Sequence, residues 1–185
     1  MEEALEHLRN RTIPLDEFRE ASQIVTRALI ERLKERLAEH DVDEQSVIFV
    51  IILRAGLAFL HAAMEVFPHA PIAMAGLQRD EETAKARWYY EKFSGVSPER
   101  TVVILDPMLA TGGSAEAVLE RLVDARIDRH RVYYVGVLGA PEGLERVTQY
   151  IPKDHVILGA LDKGLDSKMY IVPGLGDYGD RFCGM

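Results

Sequence analysis

From Val47 onward the chain repeats one pattern: a short apolar run, a loop holding Gly, Asp or Pro, then an amphipathic stretch. Val47 to Ile52 is continuous and β-branched, which suits a strand covered on both faces. Thr101 to Leu105 and Val132 to Leu138 read the same way, and Ile72 to Leu77 and His155 to Ala160 are further strands. Helical spacing occupies Leu57 to Phe67, Ser114 to Ala125 and Glu142 to Gln149. Such alternation predicts an α/β fold, a mostly parallel central sheet flanked by helices. Arg87 to Phe93 reads as part of a hairpin, and the polar segment Gln78 to Ala86 as a mobile loop. Ahead of the sheet, the first forty residues read as helix, with Leu15, Phe18, Ser22, Val25, Leu29 and Leu33 at three- and four-residue steps. Pro14 is expected in a first helical turn, and the polar break His40 to Gln45 ends the run. With 185 residues and no repeat or linker, residues 1–185 are expected to form one domain.

Composition narrows the partners. A net charge of -8 repels nucleic acid and anionic membrane alike, so neither is expected as a partner. The longest apolar run, Val47 to Leu53, is too short to span a bilayer, which takes about 20 residues. One cysteine, Cys183, rules out an intrachain disulfide, and the start shows no basic-then-apolar leader. A cytoplasmic location is expected.

Ligands of parallel sheets bind where strands end and helices begin. The loop Asp106-Pro107-Met108-Leu109-Ala110-Thr111-Gly112-Gly113-Ser114 follows the strand Thr101 to Leu105 and opens a helix. Paired glycines present successive N–H groups to an anion, Thr111 and Ser114 add hydroxyls, and the helix start adds a favourable dipole. Asp106 repels phosphate, so it suits sugar hydroxyls or a developing positive charge. No Lys follows the glycines, which excludes a P-loop. After the first strand, Ile52-Leu53-Arg54-Ala55-Gly56-Leu57 offers the planar fork of Arg54 and small residues that admit a phosphate group. Near the end, Gly174 to Gly179 spells G-x-G-x-x-G, but only six residues follow. A dinucleotide unit cannot be built from them, so the segment reads instead as a backbone clamp on a flat heterocycle. Leaving a polar base edge unpaired there would cost about 1–3 kcal/mol, which discriminates between bases.

Asp106 to Ser114 resembles the phosphoribosyl pyrophosphate (PRPP) loop of uracil phosphoribosyltransferases, members of the type I phosphoribosyltransferase family. Ile52 to Leu57 and Tyr170-Ile171-Val172-Pro173-Gly174-Leu175-Gly176-Asp177 resemble that family's pyrophosphate and uracil loops. The resemblance implies a phosphoribosyltransferase-type Rossmann-like fold with an N-terminal helix and a small C-terminal hood segment. It implies transfer of the phosphoribosyl group of PRPP to uracil, giving UMP and pyrophosphate, with Mg²⁺ as cofactor. Arg54, Arg79 and Asp106 would be catalytic. Arg54, Arg79, Asp106, Pro107, Met108, Leu109, Ala110, Thr111, Gly112, Gly113, Ser114 and Asp177 would meet PRPP. Ile171, Gly176, Asp177 and Tyr178 would meet uracil, mostly through backbone. The metal would be held by PRPP oxygens, with Asp177 reaching it through water.

The sequence departs from the family at Ile51 (proline there), Gln78 (tyrosine), Ala84-Lys85-Ala86 (Leu-Glu-Pro) and Tyr178 (alanine). The Tyr178 phenol is expected to point away from the base. A homodimer is implied, yet between His40 and Ser46 little remains of the β-arm that embraces the family's partner subunit. His61 and His155 fall on regular elements and read as structural. Two rivals stay open: a phosphoribosyltransferase for another base, and a catalytically inactive PRPP-binding regulator.

Overall fold

The computed structural model describes residues 1–79 and 86–185, and of Arg79 the backbone alone. Two helices open the chain, α1 (Glu2–Arg9) and α2 (Leu15–Glu39), where periodicity alone predicts one. The break has a local cause. Asn10 Oδ1 accepts from the Thr12 N–H at 3.1 Å, and Pro14 holds extended backbone as the N-cap of α2. The chain continues through β1 (Val47–Leu53), α3 (Leu60–Val66), β2 (Ile72–Arg79), β3 (Ala86–Lys92), β4 (Thr101–Leu105) and β5 (Met108–Leu109). Then come α4 (Gly113–Asp124), β6 (Val132–Gly139), α5 (Pro141–Thr148) and β7 (Val156–Leu161). A small hood, β8 (Gly164–Leu165) paired antiparallel with β9 (Ile171–Val172), and α6 (Tyr178–Cys183) complete it.

The sheet runs β3-β2-β1-β4-β6, with β7 on the far edge of β6. All its pairs are parallel except β2 with β3. The expected parallel α/β architecture is therefore present. Gln78 and Arg79 extend β2 and pair with Arg87 and Ala86, so both belong to the hairpin rather than to a loop. The rest of the expected mobile loop, residues 80–85, lies outside the described residues.

Alternate residues of β1 serve opposite cores. Phe49 and Ile51 face α1 and α2 with Leu8, Phe18, Val25 and Leu29; Ile48, Val50 and Ile52 face α4 with Val118, Leu119 and Leu122. Burial on both faces explains the unbroken apolar run. Full burial of each such side chain contributes about 1.5–3 kcal/mol.

β4 and β5 lie in line on the same side of β6. Leu105 pairs with Val135 and Met108 with Leu138, and the Asp106-Pro107 step between them is stitched to β6 as well. Asp106 N–H donates to the Val135 carbonyl, and the Pro107 carbonyl accepts from Val137 and Leu138. The loop start is thus an extension of the sheet, which fixes where Asp106 points. In the 3-10 turn Ala55–Phe59 that follows β1, Gly56 passes so close to β4 that a Cβ would meet the Leu105 carbonyl oxygen at 2.5 Å. Its smallness serves this backbone contact, whereas Ala55 beside it faces the cavity described next.

Candidate active site

A cavity of about 940 Å³ opens at the carboxyl ends of β1, β2 and β4, where a parallel sheet places its ligands. It joins the three loops singled out in the sequence. Arg54 and Ala55 come from the first, Asp106, Met108, Ala110 and Ser114 from the second, and Ile171 with Gly176 to Asp180 from the third. Gln78 and Tyr89 of the β2–β3 hairpin form a further wall.

The second loop splits into an anchored part and an open part. Leu109 is buried, and its carbonyl accepts from Ala140 N–H at 2.8 Å. Gly112, at φ +77, is the N-cap of α4, a left-handed geometry that a side chain would strain. Gly113 N–H reaches Thr111 Oγ1 at 3.4 Å. Thr111 to Gly113 therefore form the turn at the helix start, while Ala110 and Ser114 line the cavity. Arg146 of α5 stands beside this turn, its Nη1 3.7 Å from where a Gly113 Cβ would sit, and pairs with Glu116 at 3.4 Å.

Asp106 is 9% exposed and opens on the cavity. Burial pushes its carboxyl up to about 7, against the lowering pull of the Met108 N–H and the Tyr134 hydroxyl. That hydroxyl donates to the Asp106 carbonyl oxygen at 2.9 Å. A carboxyl so placed switches charge near neutral pH, which suits a group answering positive charge in the cavity. Arg54 extends from the end of β1 and donates to Asp180 Oδ1 at 2.7 Å, with Met185 Sδ at 3.4 Å from Nη1. Arg79 closes β2, and its side chain lies outside the described residues.

The third loop is braced from behind. Asp177 Oδ1 accepts from the Asp180 N–H at 2.8 Å and caps α6. Arg9 donates to both Asp162 oxygens, at 2.7 and 2.8 Å, and to the Gly174 carbonyl at 3.1 Å; Gly174 N–H returns to Asp162 Oδ2 at 2.8 Å. Burial alone would raise the Asp162 carboxyl, but Arg9 and the Gly174 N–H outweigh it and hold it low. Arg181 Nη1 donates to the carbonyls of Leu8 and Leu175, both at 2.6 Å. These clasps tie the third loop to α1. They join residues up to 173 positions apart, so no local pattern announces them. Asp180 was also absent from the expected site, although the repeated Gly-Asp of Gly176 to Asp180 marks the stretch.

The Tyr178 ring turns into the core. The backbone of this residue lines the cavity, while the buried ring lies edge-on to Phe18 at 5.2 Å, with its hydroxyl 2.5 Å from Ser22 Oγ on α2. Tyr178→Phe should cost about 1–3 kcal/mol, because the Ser22 hydroxyl is left buried without its partner. Thermal unfolding measures that loss, while the choice of base should stay unchanged. A gain of orders of magnitude in efficiency with uracil in Tyr178→Ala would instead mean that the phenol crowds the base. Of the two histidines, His155 is buried with Nδ1 3.0 Å from the Val132 carbonyl, as a structural residue should be; His61 is exposed beside Glu65.

Comparison with known proteins agrees with this geometry. Residues 32–184 match the family described as uracil phosphoribosyltransferase. The chain is similar to the uracil phosphoribosyltransferase of Aquifex aeolicus, at 41% identity over 76% of this chain and 66% of that protein. With that of Campylobacter fetus it shares 40% over 74% and 65%. With that of Saccharomyces cerevisiae it shares 35% over 95% and 88%. The chain therefore spans just under two thirds of the first two relatives it matches and most of the third. A solved protein from Aquifex aeolicus superposes with a TM-score of 0.85 at 31% identity, covering 98% of this chain and 92% of that one. A purine phosphoribosyltransferase from Pyrococcus horikoshii, at 18% identity and a TM-score of 0.52, covers 65% of this chain and 74% of that one and shares the fold alone. The match over residues 32–184 and the identities above place the chain in the uracil phosphoribosyltransferase family.

Proposed function

We propose that the chain is a single-domain uracil phosphoribosyltransferase that salvages uracil, converting it with PRPP to UMP and pyrophosphate in the cytoplasm. The observation that carries this reading is the meeting of Arg54, Asp106 and the Gly176 to Tyr178 backbone in one cavity. The exposed cation suits the pyrophosphate, the carboxylate suits the ribose, and the glycine turn suits the base. Arg54 and Arg79 would neutralise the leaving pyrophosphate as its bond to C1′ breaks. Ionised Asp106 would answer the positive charge that grows on the ribose ring. Ala110 to Ser114 would hold the 5′-phosphate at the start of α4. Ile171 and the Gly176 to Tyr178 backbone would hold uracil with its ring nitrogen toward C1′, where the new bond forms.

Mg²⁺ fits this cavity, because among the described residues lining it the oxygen donors are carboxylates, hydroxyls and the Gln78 amide, and the only softer atoms are the weakly ligating thioethers of Met108 and Met169, with no imidazole or thiol. Asp177, whose Oδ1 caps α6, would meet the ion through water with its other oxygen. When bound, Mg²⁺ neutralises charge on the PRPP oxygens. Homodimeric assembly belongs to the same proposal. Among the described residues only the short turn Glu44–Ser46 stands between α2 and β1, so a dimer would form without a projecting arm there. Sedimentation checks the mass. No described helix is long and apolar enough to cross a membrane.

The deciding experiment measures pyrophosphate release from PRPP and Mg²⁺ with uracil, cytosine, hypoxanthine, xanthine and orotate offered separately. Release with uracil alone, with UMP as product, is expected. Release with another base alone would move the specificity, and PRPP binding without release would favour the regulator. A pH profile adds a second test. Since only ionised Asp106 can answer positive charge, kcat/KM for PRPP should rise as pH passes about 7. Asp106→Asn should lose that rise. A profile that falls through the same range would mean that the protonated carboxyl does the work.

A further inference from the structure

The opposite end of the sheet carries a second constellation of chemistry-bearing side chains, remote from the cavity and unused by the proposed reaction. His40 caps the C-terminus of α2, while Asp154 and His155 lie in the 3-10 turn Lys153–His155 that leads into β7. One ligand-capable atom from each of the three lies within 4.8 Å of the others. His40 Nε2 stands 3.5 Å from Asp154 Oδ2. Neighbouring donors on a tetrahedral ion with bonds of about 2.0–2.1 Å are roughly 3.3 Å apart. This pair already has nearly that spacing.

The surroundings orient both rings. His155 Nδ1 lies 3.0 Å from the Val132 carbonyl. A carbonyl only accepts, so Nδ1 carries the proton and the lone pair is on Nε2. His40 Nδ1 lies 2.7 Å from the Tyr133 hydroxyl, which occupies that nitrogen and leaves Nε2 on the Asp154 side. Tyr133 also stacks on His155, with centroids 4.1 Å apart and planes 5° from parallel. An outer contact that fixes ring orientation and proton position is the rule for histidines that ligate metals. The nearby Arg36 guanidinium donates to the Asp154 backbone carbonyl at 2.7 Å and is countered by Glu39 at 2.9 Å.

We propose that His40, Asp154 and His155 form a binding site for a divalent transition-metal ion, with Zn²⁺ the expected occupant and water completing its coordination. Two imidazoles and a carboxylate suit Zn²⁺, whereas Mg²⁺ calls for oxygen ligands, so this site and the proposed catalytic one would take different metals. Asp154, 59% exposed, provides the open side, and buried His155 the floor. The three ligand atoms lie within 4.8 Å of one another, so binding would draw in the His40 ring at the end of α2 as well as the exposed carboxylate. The bound ion would tie the end of α2 to the start of β7, acting on stability rather than on turnover.

The test is thermal unfolding of the full chain, stripped by a chelator and then given Zn²⁺ or Mg²⁺, with Co²⁺ absorption as a spectroscopic reporter. Zn²⁺ at a hundredfold excess over its Kd should raise Tm by about 5 °C or more. Mg²⁺ should give no comparable rise, and bound Co²⁺ should show a visible ligand-field band. Asp154→Asn, at an exposed position, and His40→Gln should each weaken Zn²⁺ binding at least tenfold. Asp154→Asn should leave the metal-free Tm close to the parent's, whereas His40→Gln also loses the bond to the Tyr133 hydroxyl and is read by its Zn²⁺-dependent rise alone; both should leave pyrophosphate release without Zn²⁺ unchanged. Absence of any Zn²⁺-dependent rise in the parent protein would overturn the proposal. So would a rise that survives intact in both variants, since the ion would then sit elsewhere.

Discussion

Replacing Asp106 by Asn is expected to lower turnover at least a hundredfold and, near pH 8, to make the protein more stable. The two effects share one cause. The carboxyl sits where β4 leaves its pairing with β1, buried beneath the cavity, and burial pushes it up to about 7. In an unfolded chain an aspartate ionises near pH 4. Between those values the unfolded chain has released a proton that the folded chain still holds. Stability contributed by the protonated carboxyl is therefore complete below about pH 4 and is lost as pH rises through about 7. A shift of this size has a ceiling of about 4 kcal/mol, and water at the cavity mouth brings the expected penalty to on the order of 2 kcal/mol. Asparagine keeps the shape and can still accept from the Met108 N–H, but it carries no charge to bury. Parent and variant should therefore unfold at similar temperatures near pH 4, while near pH 8 the variant should lead by about 5 °C. Calorimetry at the two pH values, beside pyrophosphate release, reads both halves. A variant less stable than its parent near pH 8 would mean that the cavity solvates the carboxylate well, and the neutral-pH switch assigned to Asp106 would go with it.

Much of this was legible from residues in sequence. The unbroken apolar run of β1 announced a strand with two covered faces, and its alternate residues do feed two cores. An acid after an apolar strand, followed by paired glycines and a serine, announced a strand-to-helix loop at the sheet's carboxyl end, and Asp106, Met108, Ala110 and Ser114 of that loop line the cavity. What stayed hidden depends on long-range backbone pairing or on contacts between distant residues. β5 is two residues long and exists only because β6 is there to pair with it, so no periodicity could reveal it. Gln78 and Arg79 look like loop by composition but are strand because β3 folds back onto them. The Asx turn at Asn10, five residues ahead of α2, hides inside a spacing that reads as one helix. The outward orientation expected for Tyr178 has a partner that no local pattern announces, the Ser22 hydroxyl on α2.

Arg54→Ala should lose at least a hundredfold in kcat/KM for PRPP while changing stability by no more than about 1 kcal/mol. Arg54 and Asp180 are 50% and 47% exposed, so their 2.7 Å pair is screened by water and contributes little to folding. The other recorded contact, with the Met185 sulfur, is weak. The fold therefore loses little when the guanidinium goes, unlike at Asp106, where stability and turnover are expected to move in opposite directions. In the proposed reaction the chemistry would lose much more, because the leaving pyrophosphate would have to be neutralised as its bond breaks. Arg54→Lys should recover only part of the loss, since a point charge does not replace a planar fork that can bind two phosphate oxygens at once. Asp180 adds a further consequence. It occupies the same donors that PRPP would need, so capture of PRPP would exchange one anionic partner for another. Asp180→Asn should then lower KM for PRPP with little change in kcat, because the competitor is weakened while its backbone N–H still meets Asp177. Near-normal kcat/KM in Arg54→Ala would remove Arg54 from the pyrophosphate role. The ion pair with Asp180 would then be a latch on the hood and nothing more.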